Sequence, residues 1–178
     1  MPDMRTNPTT TGPPDRGRGR VFPADFPGID TRWVLAIAIS MVFAVDQITK
    51  ELAIHTLSSG PITLGGLRLH LVANRGILLG FPAPTSIIVL ATVGVVIVAL
   101  RSARGSRLTT ALAYGLLAGG AMGNLFDRFQ GRHGFPPEAV VDWISVGRIT
   151  FNLADVFLVV GVVMLAFAPA PRDSEAVS

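Results

Sequence analysis

Residues 108–128 have the sequence LTTALAYGLLAGGAMGNLFDR, an apolar run that ends in polar and charged side chains. Gly115, Gly119 and Gly123 recur every four residues, so a helix would align them along one ridge. Small residues at this spacing let a neighbouring helix approach closely, as is common between helices in membranes. We therefore predict a tightly packed transmembrane helix over 108–126. The polar end of the run consists of Asn124, Asp127 and Arg128.

The composition of the whole chain is that of a membrane protein. Of its 178 residues, 49% are hydrophobic and 15% are charged, whereas about 25% are charged in an ordinary soluble domain. The high apolar content excludes wholesale disorder, and the absence of Cys excludes a disulfide framework and a thiolate metal site. The pI of about 10.5 reflects only three more basic than acidic residues, so no nucleic-acid partner is expected.

Four apolar runs have the length of a bilayer span, for which about 20 helical residues suffice. We predict an integral membrane protein of the all-α class, in which residues 32–168 form a four-helix bundle. Residues 1–31, rich in Pro, Gly and Arg, are expected to be a disordered cytoplasmic tail, and 169–178 a second cytoplasmic tail. The predicted spans are about 33–54, 83–100, 108–126 and 149–168.

The distribution of Lys and Arg sets the predicted orientation. Nine of the fifteen basic residues lie before the first span, after the last one, or in the loop RSARGSR at 101–107. Because cytoplasmic loops are enriched in Lys and Arg, both termini are predicted to be cytoplasmic, and 55–83 and 127–148 to face outward. Alternating apolar residues around Gly65 and Gly66 predict a short β-hairpin at the membrane surface, with an irregular loop as the alternative.

Ionisable side chains collect at the predicted outer ends of the helices, where Asp46 and Lys50 lie one turn apart. Charged groups in a span are costly and are usually functional or paired. Asp155 is predicted to lie about two turns into its helix without a basic residue at helical spacing, so it needs a partner from another segment or becomes protonated. We therefore predict a site at the boundary between the outer leaflet and water. The other members of this polar set are Asn124, Asp127, Arg128, Asp142 and Asn152.

Structural roles compete with functional ones for several of these residues. Asp46 and Lys50 are interpreted first as an interfacial ion pair, in which the Lys50 ammonium reaches toward water. A capped helix end would account for Asp127 and Arg128, and a hydrogen bond to the backbone would account for Asn152.

Carboxylates carry the chemistry that the sequence allows. The chain has isolated His residues and no zinc-protease motif, nucleophile-elbow serine or phosphate-binding glycine loop. Two Asp side chains in an apolar pocket share one proton, so that one activates a water while the other donates to the scissile carbonyl. Asp142 and Asp155 are the best pair, and their chemistry needs no metal or cofactor.

Five short polar segments occur in order between residues 33 and 168. They are DQITK (46–50), NRG (74–76), GGAMGNLFDR (119–128), VVDW (140–143) and FNLAD (151–155). Together they resemble the corresponding segments of the lipoprotein signal peptidases, or type II signal peptidases, and five segments in the same order are highly specific. The link at 129–139 looks longer than is usual in that family, and the link between Asp142 and Asp155 looks shorter.

The resemblance implies a bacterial inner-membrane aspartyl endopeptidase that cuts the signal peptide of a prolipoprotein before a diacylglyceryl-modified Cys. It implies a small extracytoplasmic β-cradle and a helix-containing loop over the active site. Asp142 and Asp155 would be the catalytic pair of a monomer whose partners are lipid-modified prolipoproteins and membrane lipid. Asn74 and Arg128 would hydrogen-bond the substrate backbone. The residues that would line or support the pocket are Asp46, Lys50, Asn74, Gly120, Asn124, Asp127, Arg128, Asn152 and Ala154.

Two other classes of function stand as hypotheses beside the peptidase. A proton-coupled carrier would use the carboxylates as a relay, but a relay needs ionisable residues through the membrane depth, and the inner halves of the predicted helices have none. A non-catalytic membrane scaffold would use the glycine ridge, but it leaves the clustered carboxylates unexplained.

Overall fold

The computed structural model describes residues 30–76, 83–102 and 106–168. The predicted tails, apart from Asp30 and Thr31, therefore lie outside the described residues. The chain forms four helices and four strands. In chain order these are α1 (Thr31–Leu57), β1 (Ile62–Leu64), β2 (Leu67–Asn74), α2 (Thr85–Ser102), α3 (Leu108–Gln130), β3 (Val140–Val146), β4 (Ile149–Phe151) and α4 (Leu153–Ala166).

Helix α3 is the centre of the bundle and packs against the other three helices. Its glycine ridge faces α1, as a β-carbon added at Gly119 would lie 2.7 Å from the Val42 β-carbon. Gly120 points to the other side, where an added β-carbon would lie 2.8 Å from the carbonyl oxygen of Ala154 on α4. The prediction that small residues bring the helices together at their polar ends is confirmed.

Two of the described helices, α1 and α2, are long and apolar enough to cross a membrane. Helix α4 is apolar but has only 14 residues, or about 21 Å at 1.5 Å per residue. The four-helix arrangement is present, while the membrane crossings of all four helices stay predictions.

A four-stranded antiparallel sheet in the order β1-β2-β3-β4 covers one end of the bundle. It consists of two hairpins with two-residue turns, in which Gly65 and Gly147 have φ of +60° and +61°. Glycine adopts this left-handed conformation without steric cost. The hairpin predicted around Gly65 and Gly66 is confirmed, and the irregular-loop alternative is wrong. The second hairpin makes the all-α description too narrow.

The fourth helix begins at Leu153, so the predicted span from residue 149 is wrong at its start. Ile149–Phe151 forms strand β4 instead and pairs with β3, and Asn152 separates it from the helix. Asn152 caps the helix and forms a capping box with Asp155. Asp155 therefore lies in the first turn of α4. The prediction that it lies about two turns into the helix is wrong.

The link between α3 and β3, residues 131–139, contains turns and no helix. The helix-containing loop that the resemblance implied is therefore wrong for this part of the chain, where α3 itself extends to Gln130.

The sheet has one polar and one apolar face. The strand register aligns a polar row across all four strands, made of Thr63, Arg68, Ser145 and Thr150. Residues next to these in sequence form apolar rows on the opposite face, and Asp142 shares that face because it lies two residues before Ile144. Strand β3 thus holds Asp142 where the apolar face of the sheet meets the helix ends.

Candidate active site

Two amide side chains hold the carboxylate of Asp142 on β3. The amide nitrogen of Asn152 donates to Asp142 Oδ1 at 2.7 Å, and that of Asn74, at the end of β2, donates to Oδ2 at 2.8 Å. Asp142 is 1% exposed. Both donors bind the carboxylate from flanking elements, so its orientation is fixed by the sheet and by the start of α4.

The carboxylate of Asp155 is held in the same way. The side-chain nitrogen of Asn124 on α3 donates to Asp155 Oδ1 at 2.9 Å, and the backbone N–H of Asn152 donates to Oδ2 at 3.3 Å. Asn152 therefore contacts both carboxylates, one through its side chain and the other through its backbone. Within the described residues neither Asp142 nor Asp155 forms an ion pair.

A cavity of about 220 Å³ opens onto the two carboxylates. Its apolar walls include Ile88 and Val95 of α2 and Leu158 of α4. Arg128 also lines it, donating to the carbonyl oxygens of Gly76 and Asn124, whereas its buried Nε has no partner among the described residues. The cavity thus combines two carboxylates, one guanidinium and a mostly apolar wall.

The environment of Asp142 favours its neutral form. Burial and the neighbouring Asp155 carboxylate raise the pKa of Asp142 to about 7, although hydrogen bonds from Asn74 and Asn152 and the charge of Lys50 oppose the rise. A carboxyl group with this pKa is able to hold or release a proton near neutral pH. This is the property that general acid–base catalysis requires.

A second group of carboxylates lies beside the first and is paired with cations. Lys50 is fully buried, and its Nζ lies 2.8 Å from Asp46 Oδ2 and 3.0 Å from Asp127 Oδ2. It also donates to Asn124 Oδ1 at 3.0 Å. The interpretation that Lys50 reaches toward water is wrong, because two buried carboxylates hold the ammonium inside the protein.

Asp46 and Asp127 extend this network to the backbone of the site. Asp46 Oδ1 accepts the backbone N–H of Ala154 at 3.2 Å, and Asp127 Oδ2 accepts that of Val141 at 3.2 Å. The carboxylate of Asp127 pairs with Lys50 and Arg132. Its carbonyl oxygen accepts the backbone N–H of Gly131 at 3.0 Å, so the capped helix end expected from the sequence is also present.

The site residues named from the sequence all converge on this end of the bundle. Asn152 does satisfy the backbone, accepting the N–H of Asp155 at 3.1 Å, and it also binds Asp142. Sequence reasoning missed Gln47, Glu51 and Arg132, whose side chains join the network. The described residues contain no group of three or more His, Cys, Asp or Glu side chains that could hold a metal ion.

Comparison with solved structures defines the class of fold. Two structures described as bacterial membrane enzymes, studied by the in meso method, match with TM-scores of 0.64 and 0.62 at 22% and 23% identity. The matches cover 79% and 75% of this chain, and 95% and 85% of the respective solved chains. The fold is therefore one that bacterial membrane enzymes have.

Comparison of sequences defines the family. A family model described as signal peptidase (SPase) II matches residues 38–169. Proteins named lipoprotein signal peptidase are similar to this chain: that of Rhodococcus jostii (strain RHA1) is 39% identical over 75% of this chain and 71% of its own length, and that of Mycobacterium avium (strain 104) 36% identical over 85% and 86%. That of Leifsonia xyli subsp. xyli (strain CTCB07) is 35% identical over 89% and 73%. The chain belongs to the signal peptidase II family, which is a family of peptidases. Neither the carrier hypothesis nor the scaffold hypothesis accounts for this membership.

Proposed function

We propose that this chain is an aspartyl endopeptidase of the bacterial inner membrane that removes the signal peptide from diacylglyceryl-modified prolipoproteins. The cut falls before the lipid-modified Cys, and Asp142 and Asp155 are the catalytic pair. One observation carries the proposal: Asn152 contacts both carboxylates at the wall of a single cavity. Membership of the signal peptidase II family supplies the reaction class.

The proposed mechanism uses one proton shared by the two carboxyl groups. The ionised carboxylate removes a proton from a water molecule, and the resulting hydroxide attacks the scissile carbonyl carbon. The protonated carboxyl donates to the carbonyl oxygen, which gives a neutral tetrahedral intermediate. On collapse of this intermediate the C–N bond breaks, the first carboxyl gives the proton it took from water to the departing amine, and one hydroxyl returns its proton to the second carboxylate as the carbonyl re-forms, so that the pair again shares one proton. Two buried carboxyl groups that both contact Asn152 and line one cavity favour a single shared charge, because burial penalises a second one.

The remaining site residues orient the substrate or the catalytic pair. The Nε of Arg128, which has no partner among the described residues, would donate a hydrogen bond to a backbone carbonyl of the peptide substrate. Asn74 is engaged with Asp142, so its proposed contact with substrate would share the amide with that carboxylate. Asp46, Lys50, Gly120, Asn124, Asp127, Asn152 and Ala154 form the support.

Membrane placement accounts for how the substrate arrives. The acyl chains of a modified Cys remain in the bilayer, where each buried CH₂ contributes about 0.8 kcal/mol. The apolar cavity wall from α2 and α4 suits an apolar signal helix arriving from the lipid. We infer a monomer with both termini in the cytoplasm and the site in the outer leaflet, in accord with the distribution of Lys and Arg.

The test uses the full chain reconstituted in lipid vesicles and two forms of one prolipoprotein, with and without the diacylglyceryl group. We expect the lipid-modified form to be cleaved at least about 100-fold faster, with the cut before Cys located by mass spectrometry. A chelator is expected to leave the rate unchanged. Equal cleavage of both forms would contradict the substrate assignment, and a chelator-induced loss that zinc reverses would contradict the metal-free mechanism.

A further inference from the structure

Arg132 is the most heavily engaged side chain of the site that neither the motifs nor the proposed mechanism uses. It follows Gly131, whose φ of +63° directs the chain out of α3. This conformation favours glycine. The backbone oxygen of Arg132 accepts the N–H of Phe135 at 3.0 Å, which begins the irregular link toward β3. The side chain turns back onto the helix ends and is only 5% exposed.

The guanidinium of Arg132 joins α1 to α3 through three acceptors. Its Nε and Nη2 donate to Asp127 Oδ1 at 3.1 and 3.0 Å, and Nη2 also donates to Gln47 Oε1 at 2.6 Å. Its Nη1 donates to Glu51, which is 60% exposed. The planar guanidinium makes these contacts from three nitrogens in a fixed arrangement, whereas the ammonium of Lys would have to make them from a single nitrogen.

Arg132 also balances the charge of the network. Without it, the buried carboxylates of Asp46 and Asp127 would face a single buried ammonium, that of Lys50. With it, the two buried carboxylates are matched by two cations, and each oxygen of Asp127 has its own cation.

The consequence for Asp142 follows from the geometry of the Asp127 carboxylate. Its two oxygens move as one rigid group, so the donors that hold Oδ1 also orient Oδ2. That oxygen accepts the backbone N–H of Val141 at 3.2 Å, and Val141 immediately precedes Asp142 on β3. We propose that Arg132 is a positioning residue that fixes Asp142 through Asp127 and the Val141 amide, a role that rests on the proposed function of Asp142.

The first measurement tests the positioning without any substrate. Hydrogen exchange at the Val141 amide is compared in the full-length wild type, Arg132→Gln and Arg132→Lys in detergent micelles. We expect exchange at least about tenfold faster in Arg132→Gln and an intermediate rate in Arg132→Lys. Arg148→Gln is the matched control, because Arg148 is an exposed residue of the turn between β3 and β4, and it should leave exchange unchanged.

The second measurement tests the consequence for the reaction. With a diacylglyceryl-modified prolipoprotein, Arg132→Gln should lower kcat about 10- to 100-fold, the range expected of a small displacement of a catalytic group, while KM stays within about twofold. Arg132→Lys should recover part of the loss.

Several results would overturn the proposal: unchanged Val141 exchange in folded Arg132→Gln, faster exchange with normal kcat, a change in KM alone, or no recovery by Lys. If Arg132→Gln does not fold, Arg132→Lys decides by the same criteria, and if neither folds, Arg132 is a folding residue and the proposal fails. If the wild type itself does not cleave the substrate, the proposed function fails, and the exchange rates alone decide the coupling of Arg132 to Val141.

Discussion

The end of the bundle holds two pairs of buried Asp residues whose partners differ in kind. Asp46 and Asp127 face the cations Lys50 and Arg132. Asp142 and Asp155 receive hydrogen bonds from Asn74, Asn124 and Asn152. Asn124 connects the two pairs, since it accepts from Lys50 and donates to Asp155.

The difference in partners shows how one protein uses buried Asp side chains both for structure and for catalysis. A buried carboxylate paired with a cation is attracted to that charge and holds backbone N–H groups in place. A buried carboxylate that receives hydrogen bonds only from amides has no opposite charge to offset the cost of burial. Its pKa is therefore raised toward neutral pH, where it is able to hold or release a proton during a reaction. We therefore assign the first pair to the scaffold and the second to catalysis.

The largest expected effect on stability comes from removing the central cation of the paired network. Lys50→Met leaves Asp46 and Asp127 without their shared ammonium, and breaking a buried ion pair costs about 3–5 kcal/mol. Thermal unfolding in detergent micelles measures the change. Arg148→Met, at an exposed turn, is the control and should change stability by less than about 0.5 kcal/mol. A similar loss in both variants would remove the distinction between the pairs.

The amide-bound pair should give the protein a pH-dependent stability. The folded-state pKa of Asp142, about 7, is above its ordinary value of 3.8, so the stabilisation from its protonated form is lost as pH rises through 7. Between pH 5 and pH 7 the loss is about 2 kcal/mol, because the slope of about 1.4 kcal/mol per pH unit decreases as the pH approaches the folded-state pKa.

Asp142→Asn tests this pH effect because it removes the titrating group. Between pH 5 and pH 8 the free energy of unfolding of the wild type should fall more than that of Asp142→Asn. Identical pH dependence of the two proteins in thermal unfolding would show that Asp142 has no raised pKa.

A smaller effect is expected where the glycine ridge meets the paired network. Gly123→Ala would place a β-carbon against the carboxylate of Asp46, too close to fit without movement, and overpacking of this kind costs about 1–3 kcal/mol. Gly94→Ala is the matched control on α2, where an added β-carbon meets nothing within 4 Å. In thermal unfolding Gly94→Ala should be neutral or slightly stabilising. Equal stability of both variants would mean that α1 and α3 are not held as closely as described.

The smallest effect is expected at the exposed edge of the paired network. Glu51 is 60% exposed in its contact with Arg132, and an exposed ion pair contributes about 0–1 kcal/mol. Glu51→Gln should therefore lower the unfolding temperature by no more than a few degrees and leave the cleavage rate within about twofold. A loss as large as that of Lys50→Met would show that Glu51 belongs to the buried part of the network.

Several of these features could be predicted from the sequence because their signals are local. The glycine spacing at 115, 119 and 123 predicted the close approach to α1, and the alternation around Gly65 predicted the first hairpin. The polar residues at the helix ends predicted a common site, since a membrane protein tolerates such groups only where they have partners.

Other features could not be predicted because their signals are weak or distant. The apolar residues of β4 run into α4, so hydropathy alone does not separate strand from helix, although the spacing of Asn152 and Asp155 is that of a capping box. Arg132 lies 85 residues from Gln47 and 81 from Glu51. No local sequence pattern predicts contacts between residues this far apart in the chain, because only the fold brings them together.

Cleavage of a diacylglyceryl-modified prolipoprotein by Asp142→Asn and Asp155→Asn tests the division between the two pairs most directly. Each variant keeps the size of its side chain and loses the carboxylate, and folding is checked by the unfolding temperature. We predict that both variants fold and that each loses at least about 1,000-fold in kcat, as expected when one member of a cooperating catalytic set is removed. A folded variant of either residue that cleaves within about tenfold of the wild-type rate would contradict the assignment of catalysis to this pair.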